Sequence, residues 1–389
     1  MLDGLLHLSF WGDVLTVLIF TQVTVASVTL YLHRCQAHRS LELSPSISHF
    51  FRLWLWLTTG MNTKAWAAIH RKHHARCEME GDPHSPQLLG IKKVLLEGAE
   101  LYQIEAVNQE TLEYYGKGTP NDWIERKIYT PHGILGVVIM LFIDVILFGL
   151  PGISIWGIQM LWIPFFAAGV INGIGHFWGY RNFESKDASR NIIPIGFIVG
   201  GEELHNNHHA FGSSAKFSSK WWEFDIGWFY IKVLSFFKLA KVKKLPPKLI
   251  SVPNKSSIDT ETLKAFILNK LNVLSTYRKE VILPVLKKEQ KQAGEKFSQA
   301  KKLLVRELSM ISSFDRKNLA LLLKKTKMLR KVYFYRVQLQ SIWNRTTASQ
   351  KELIEDLQNW CKKAENSGIE ALQNFSIRLR SFVSEGESA

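Results

Sequence analysis

Apolar residues run almost unbroken from Trp11 to Leu32. That stretch of about 22 residues is long enough to cross a bilayer core. Two further apolar runs, 133–150 and 153–178, flank Pro151-Gly152. The Pro-Gly pair signals a tight turn, so the runs predict a helical hairpin through the membrane. The segment Ser44–Met61 is also apolar, with Phe50, Phe51, Trp54, Trp56 and Leu57, but it carries His49 and Arg52. That mixture predicts an amphipathic helix lying in the membrane interface. Residues 62–130 are polar and of mixed charge, and read as aqueous. Beyond Pro246-Pro247 the pattern changes: Lys, Glu, Gln and Leu dominate and glycine is scarce. Apolar residues there recur at helical spacing, as in Leu303, Val305, Leu308 and Ile311, and again from Leu319 to Leu323. Several helices are predicted, packed as antiparallel hairpins or a coiled coil. The expected fold is therefore all-α: a membrane-embedded helical domain over 1–245 and a charged helical extension over 246–389.

Charge sharpens this division. The 389-residue chain has a formal net charge of +15, and most of the excess lies beyond residue 240. A basic extension suits anionic lipid or nucleic acid. With no nucleic-acid motif beside it, membrane lipid is the expected partner and nucleic acid is not. Cys35, Cys77 and Cys361 show neither a Cys-x-x-Cys nor a regular spacing, so no disulfide framework or iron–sulfur site is expected. The N-terminal apolar run is too long for a cleavable signal peptide and lacks a basic leader.

Histidine brings in the chemistry. Of thirteen histidines, eight fall in three groups: His33 with His38; His70, His73 and His74; and His205, His208 and His209. The second and third groups share the spacing i, i+3, i+4, which puts three imidazoles on one helix face. Neutral imidazole is the commonest metal-binding side chain. Eight donors exceed the four of a single zinc site, so a pair of metals fits the count. His33 and His38 are about 140° apart on a regular helix. Either the helix unwinds after His33 or the two serve different metals. Asn172 and His176 form another i, i+4 pair at the end of the last apolar run.

The three boxes must meet on one side of the membrane. With three spans, Arg34, Arg39, Lys64, Arg71, Lys72, Lys92, Lys93 and Arg126 lie on that side too, and the positive-inside rule makes it cytoplasmic. The turn at 151–152 carries no Lys or Arg.

The set His33-Arg-x-x-x-His38, His70-Arg-x-His-His74 and His205-Asn-x-His-His209 resembles the acyl-CoA desaturase branch of the membrane fatty-acid desaturases. Asp82-Pro-His84, Asn172-x-x-x-His176 with Gly179-Tyr180-Arg181, and Gly201-Glu-x-x-His205 extend the likeness over roughly residues 10–240. The short N-terminus makes the topology closer to that of bacterial relatives, which implies a bacterial inner membrane. The resemblance implies two iron ions and dioxygen as co-substrate. It implies a cis double bond introduced near carbon nine of a long-chain fatty acyl-CoA. It implies nine ligands: His33, His38, His70, His73, His74, His176, His205, His208 and His209. Asn172 matches a position that holds a metal-bound water, and Trp66 one that lines the acyl tunnel. Asp82, Glu202 and Glu203 are expected to orient imidazoles through their second N–H. No fused electron carrier is visible. Electrons are expected from a separate protein of ferredoxin, rubredoxin or haem type, with its reductase. The competing readings are an acyl-lipid desaturase, a fatty-acyl hydroxylase with the same irons, and a non-catalytic metal sensor.

Overall fold

The computed structural model describes residues 4–294, 297 and 299–384. The chain forms two compact units. One comprises Met1–Asn182 and Asp187–Pro246, the other Phe183–Lys186 and Pro247–Ala389. Among the described residues both are helical, apart from three two-stranded ladders, none longer than three residues per strand.

In the first unit an apolar helix runs over Phe10–Ala37. Ser9 caps it by accepting the Gly12 N–H. The hydroxyls of Thr21, Thr24 and Ser27 donate to carbonyls one turn back, so these side chains carry no unmet polar group into an apolar setting. From Ser27 to Ala37 the helix is wound more widely. It ends with the His38 N–H on the His33 carbonyl, five residues back, at 3.0 Å.

The helix Pro45–Thr59, whose composition suggested an interfacial helix, has a packing partner within the first unit. It packs along Gly133–Phe148, with Gly136 so close that a Cβ there would lie 2.3 Å from the Trp56 carbonyl. The indole of Trp56 donates to His132 O, and that of Trp54 to Thr24 Oγ1. Arg52, the charge that argued for an interfacial helix, is buried against Asp122 Oδ2 at 2.6 Å and Glu125 Oε2 at 2.9 Å. Its charge is thus met within the first unit.

The hairpin turns one residue pair earlier than expected, at Gly149, whose φ of 68° suits glycine. Pro151 sits in the first turn of the next helix, where its missing N–H costs nothing. Among the described residues two helices, Phe10–Ala37 and Leu150–Ile174, are long and apolar enough to cross a membrane. The third predicted span is shorter: Gly133–Phe148 has 16 residues, about 24 Å at 1.5 Å per residue. Between the bundle helices lie four short ones, from Pro86–Leu89 to Gln109–Tyr115, in the region expected to be aqueous.

The second unit has its own core. Phe266, Tyr277, Leu304, Leu329, Val332, Leu339, Leu357, Phe375 and Leu379 are all fully buried. The buried polar tips find partners: Tyr277 OH donates to Val332 O, and the Trp360 indole to Tyr335 O. Helix Gln350–Glu365 starts on a capping box formed by Ser349 and Glu352. This is a packed globular unit rather than a coiled coil. Replacing Leu357 with Ala is expected to cost the unit about 2–5 kcal/mol, read as a lower unfolding midpoint for the C-terminal transition.

Candidate metal centre

All nine predicted imidazoles meet in the first unit, in two neighbouring groups. His33, His38, His70, His74 and His208 bring their ligand atoms within 4.8 Å of one another; His73, His176 and His209 do the same, together with Cys77. His205 joins the second group through Nε2, 2.9 Å from His176 Nε2.

Each box is divided between the groups in a way its spacing did not reveal. On a helix, i and i+4 differ by about 40°, whereas i+3 lies about 60° to the other side. Helix Thr63–Arg76 therefore sends His70 and His74 to the first group and His73 to the second. In the short helix His205–Ala210, His205 and His209 face each other with ring centroids 4.5 Å apart, while His208 turns to the first group. The expectation that the three imidazoles of a box point at one spot is corrected accordingly.

His33 and His38 share a group, at the end of a helix that stays continuous through His33. The wide winding of Ser27–Ala37 closes i to i+5 instead of i to i+4. It brings the two rings to 4.8 Å between centroids. Arg71 holds the end of this segment through Nε to Ala37 O and Nη2 to Gln36 O, satisfying carbonyls that a helix end leaves unpaired.

The Nε2 atoms converge. His33 and His208 are 3.1 Å apart, His74 and His208 2.8 Å, His38 and His70 2.8 Å, and His73 and His176 3.1 Å. Adjacent donors on a metal with bonds of about 2.1 Å lie about 3 Å apart. Burial holds His70, His74, His205 and His208 well below the usual imidazole range. It also holds His38 down at about 3, and His209 at about 4 although Asp187 pulls it upward. At neutral pH these rings are the uncharged, donating form. His209 Nε2 is buried with no hydrogen-bond partner among the described residues. A metal ion would supply one, so the residues fit the group that the boxes imply.

Carboxylates fix the other nitrogen of four of the rings. His33 Nδ1 lies 2.5 Å from Glu202 Oε1, His73 Nδ1 2.9 Å from Asp82 Oδ1, His176 Nδ1 3.1 Å from Glu78 Oε1 and His209 Nδ1 3.3 Å from Asp187 Oδ2. Such pairs set the tautomer that leaves Nε2 free to bind. Asp82 and Glu202 were anticipated. Glu203 was as well, but its carboxylate turns back onto the Ile198 and Val199 N–H groups at 2.7 and 3.0 Å. The reason is the tight turn at Gly200 and Gly201, both at positive φ. Glu78, Asp187 and Cys77 were missed. Cys77 Sγ lies 3.9 Å from both His73 Nε2 and His176 Nδ1. Asp187 is remote in sequence from His209 and carries no local signal. Glu78 follows His74 by four residues, a spacing that could have been noticed.

Trp66 stacks on His70, with centroids 5.1 Å apart at 15°. His84, given no metal role from sequence, stacks on His73 at 4.3 Å. Asn172 opens the last turn before His176 and is half-buried. Asn207 anchors the short histidine helix through its Nδ2 on Glu223 Oε2 at 2.8 Å.

Comparison with known proteins agrees with this geometry. The family model described as fatty acid desaturase matches residues 9–225. The sn-1 stearoyl-lipid 9-desaturase of Synechocystis is 34% identical over 224 residues, covering 57% of this chain and 68% of that protein. The Delta-9 desaturase-like 5 protein of Arabidopsis thaliana is 30% identical, covering 58% of this chain and 75% of its own length. The icosanoyl-CoA 5-desaturase of Limnanthes douglasii is 29% identical, covering 57% of this chain and 62% of that protein. These relatives come from plants and a cyanobacterium and are named for both lipid-linked and CoA-linked acyl groups. A separate family model, described as transposase, matches residues 272–385 in the second unit. Desaturases of the matched family generally use a di-iron centre, a fatty acyl substrate and an electron donor, and the apolar helices fit membrane association. Two adjoining groups of imidazoles, four of them oriented by carboxylates, lie within the matched segment. On these grounds the chain belongs to the fatty acid desaturase family and is an oxidoreductase of that family.

Proposed function

We propose that the protein introduces a cis double bond near carbon nine of a long-chain fatty acyl-CoA, using dioxygen and two electrons from a separate donor. The observation that carries this reading is the convergence of nine imidazoles into two adjoining groups. His33, His38, His70, His74 and His208 would hold one iron, and His73, His176, His205 and His209 the other. Asn172 would hold a water on a metal, and Trp66 would line the acyl channel. The irons supply the oxidising power that side chains lack when an unactivated methylene is attacked. The overall balance is two C–H bonds, dioxygen, two electrons and two protons giving one C=C and two waters. The protein's own part is placement: buried rings fixed by Glu202, Asp82, Glu78 and Asp187 keep the donors still, and an apolar channel sets which carbon is presented.

The catalytic domain is assigned to 1–245, in a bacterial inner membrane with the irons toward the cytoplasm, as the basic residues around the boxes suggest. The donor would be a ferredoxin, rubredoxin or haem protein served by a reductase. The extension from 246 is read as a docking or oligomerisation element. A second reading, an acyl-lipid desaturase, is supported by the Synechocystis relative's likeness and name.

Expression in a host without its own desaturase, followed by fatty-acid profiling, tests the proposal. A new monounsaturated acid with its bond at carbon nine is expected. Acyl-CoA and phospholipid pools assayed separately distinguish the two readings. A hydroxylated acid would reassign the chain to hydroxylation. No new acid, with iron loaded and reductant supplied, would favour a metal sensor.

A further inference from the structure

Glu78 lies just past the second histidine box and is one of five described non-glycine residues with positive φ, at 61°. Such a backbone is disfavoured for a side chain with a Cβ and persists where the surroundings enforce it. Its side chain is only 7% exposed, and its surroundings give a reason for the strain. Glu78 Oε1 accepts from His176 Nδ1 at 3.1 Å. Oε1 and Oε2 also receive the Ala188 N–H, at 2.7 and 2.9 Å. On the opposite side the Glu78 N–H donates to Asp82 Oδ2 at 2.7 Å. Asp82 uses its other oxygen for His73, and Asp187, next to Ala188, pairs with His209.

We infer that Glu78 is the positioning residue of the second imidazole group. It acts directly on His176, through Asp82 on His73, and through the Ala188 backbone on the loop whose Asp187 orients His209. The left-handed backbone is what allows this. It aims the N–H at Asp82 and the carboxylate at His176 and Ala188 from one residue. A carboxylate is needed, because it accepts from every donor and thereby keeps the proton of His176 on Nδ1 and its Nε2 free. The first group has no comparable dependence, since Glu202 serves His33 separately.

This inference rests on the di-iron reading, and Glu78→Gln tests it. Glutamine has the same shape, and its oxygen can still accept the Ala188 N–H. Its amide then faces His176 Nδ1 as a donor, which favours the opposite tautomer and turns an N–H toward the metal. Iron content and affinity are measured on the full-length chain in detergent, together with the thermal midpoint of the metal-free protein. The wild type is expected to hold two irons. In Glu78→Gln one of the two is expected to bind about 10–100-fold more weakly, the range for losing an outer partner, with the metal-free midpoint within a few degrees. Glu78→Gly provides a second check. Glycine suits the left-handed backbone, so a residue needed only for the turn would be replaced without effect on metal. Two irons of unchanged affinity in either variant, or equal loss of both, would overturn the assignment. A wild type that binds no iron would instead remove the di-iron reading itself.

Discussion

Replacing His208 with Ala should abolish double-bond formation while leaving the chain folded and in the membrane. The ring is fully buried, with Nε2 3.1 Å from that of His33 and 2.8 Å from that of His74. Losing it removes a donor outright. The deficit should exceed the roughly 10–100-fold that follows from disturbing an outer partner. Product analysis on equal amounts of extracted protein, with iron content measured alongside, checks this. Retained turnover would show that the first group does not hold the reactive metal. Some loss of stability should accompany the replacement, because a fully buried ring leaves a cavity, but no ion pair is broken: among the described residues His208 Nδ1 is already unpaired.

Arg34 should behave in the opposite way: no metal role and a large loss of stability. Its guanidinium is completely buried beside Asp225, with Nη2 at 2.9 Å from Oδ1 and neither side chain exposed. It also lies 3.9 Å over the Phe217 ring. Arg34→Met would leave Asp225 buried with its Phe217 and Trp228 N–H bonds but no counter-charge. Breaking such a pair from one side costs about 3–5 kcal/mol. The measurement is a thermal or denaturant midpoint of the detergent-solubilised protein. Asp225→Asn combined with Arg34→Met should recover part of the loss, because no lone charge then remains. The site is tight in a further sense. A Cβ on Gly227 would lie 1.7 Å from Arg34 Nη1, so Gly227→Ala should resemble the arginine variant.

The boundary between what could be read from the chain and what could not follows from the range of the interactions. Helical period is local, and so is metal-ligand chemistry. Box two and box three, the apolar run ending at His33, and the change of character after Pro246-Pro247 were therefore visible in single stretches of sequence. The division of each box between two groups was not. It depends on where the partner helices stand, and a difference of 100° between i+3 and i+4 has no meaning until they do. The pairing of His33 with His38 also needed the structure, because the wide winding of Ser27–Ala37 is not a propensity of any residue in it. The partners of Arg52 were hidden for the same reason: Asp122 and Glu125 are about 70 residues away. Glu202 and Glu203 look equivalent in the sequence, yet the turn at Gly200 and Gly201 directs the neighbouring carboxylates to different targets.

Alone, then, the order of residues determined which side chains could donate to a metal and which segments were apolar enough to be helices in a membrane. Tertiary structure decided which donors share a group and which carboxylates hold them. Chain order records chemistry and period, whereas aim is a sum over contacts that packing alone brings together.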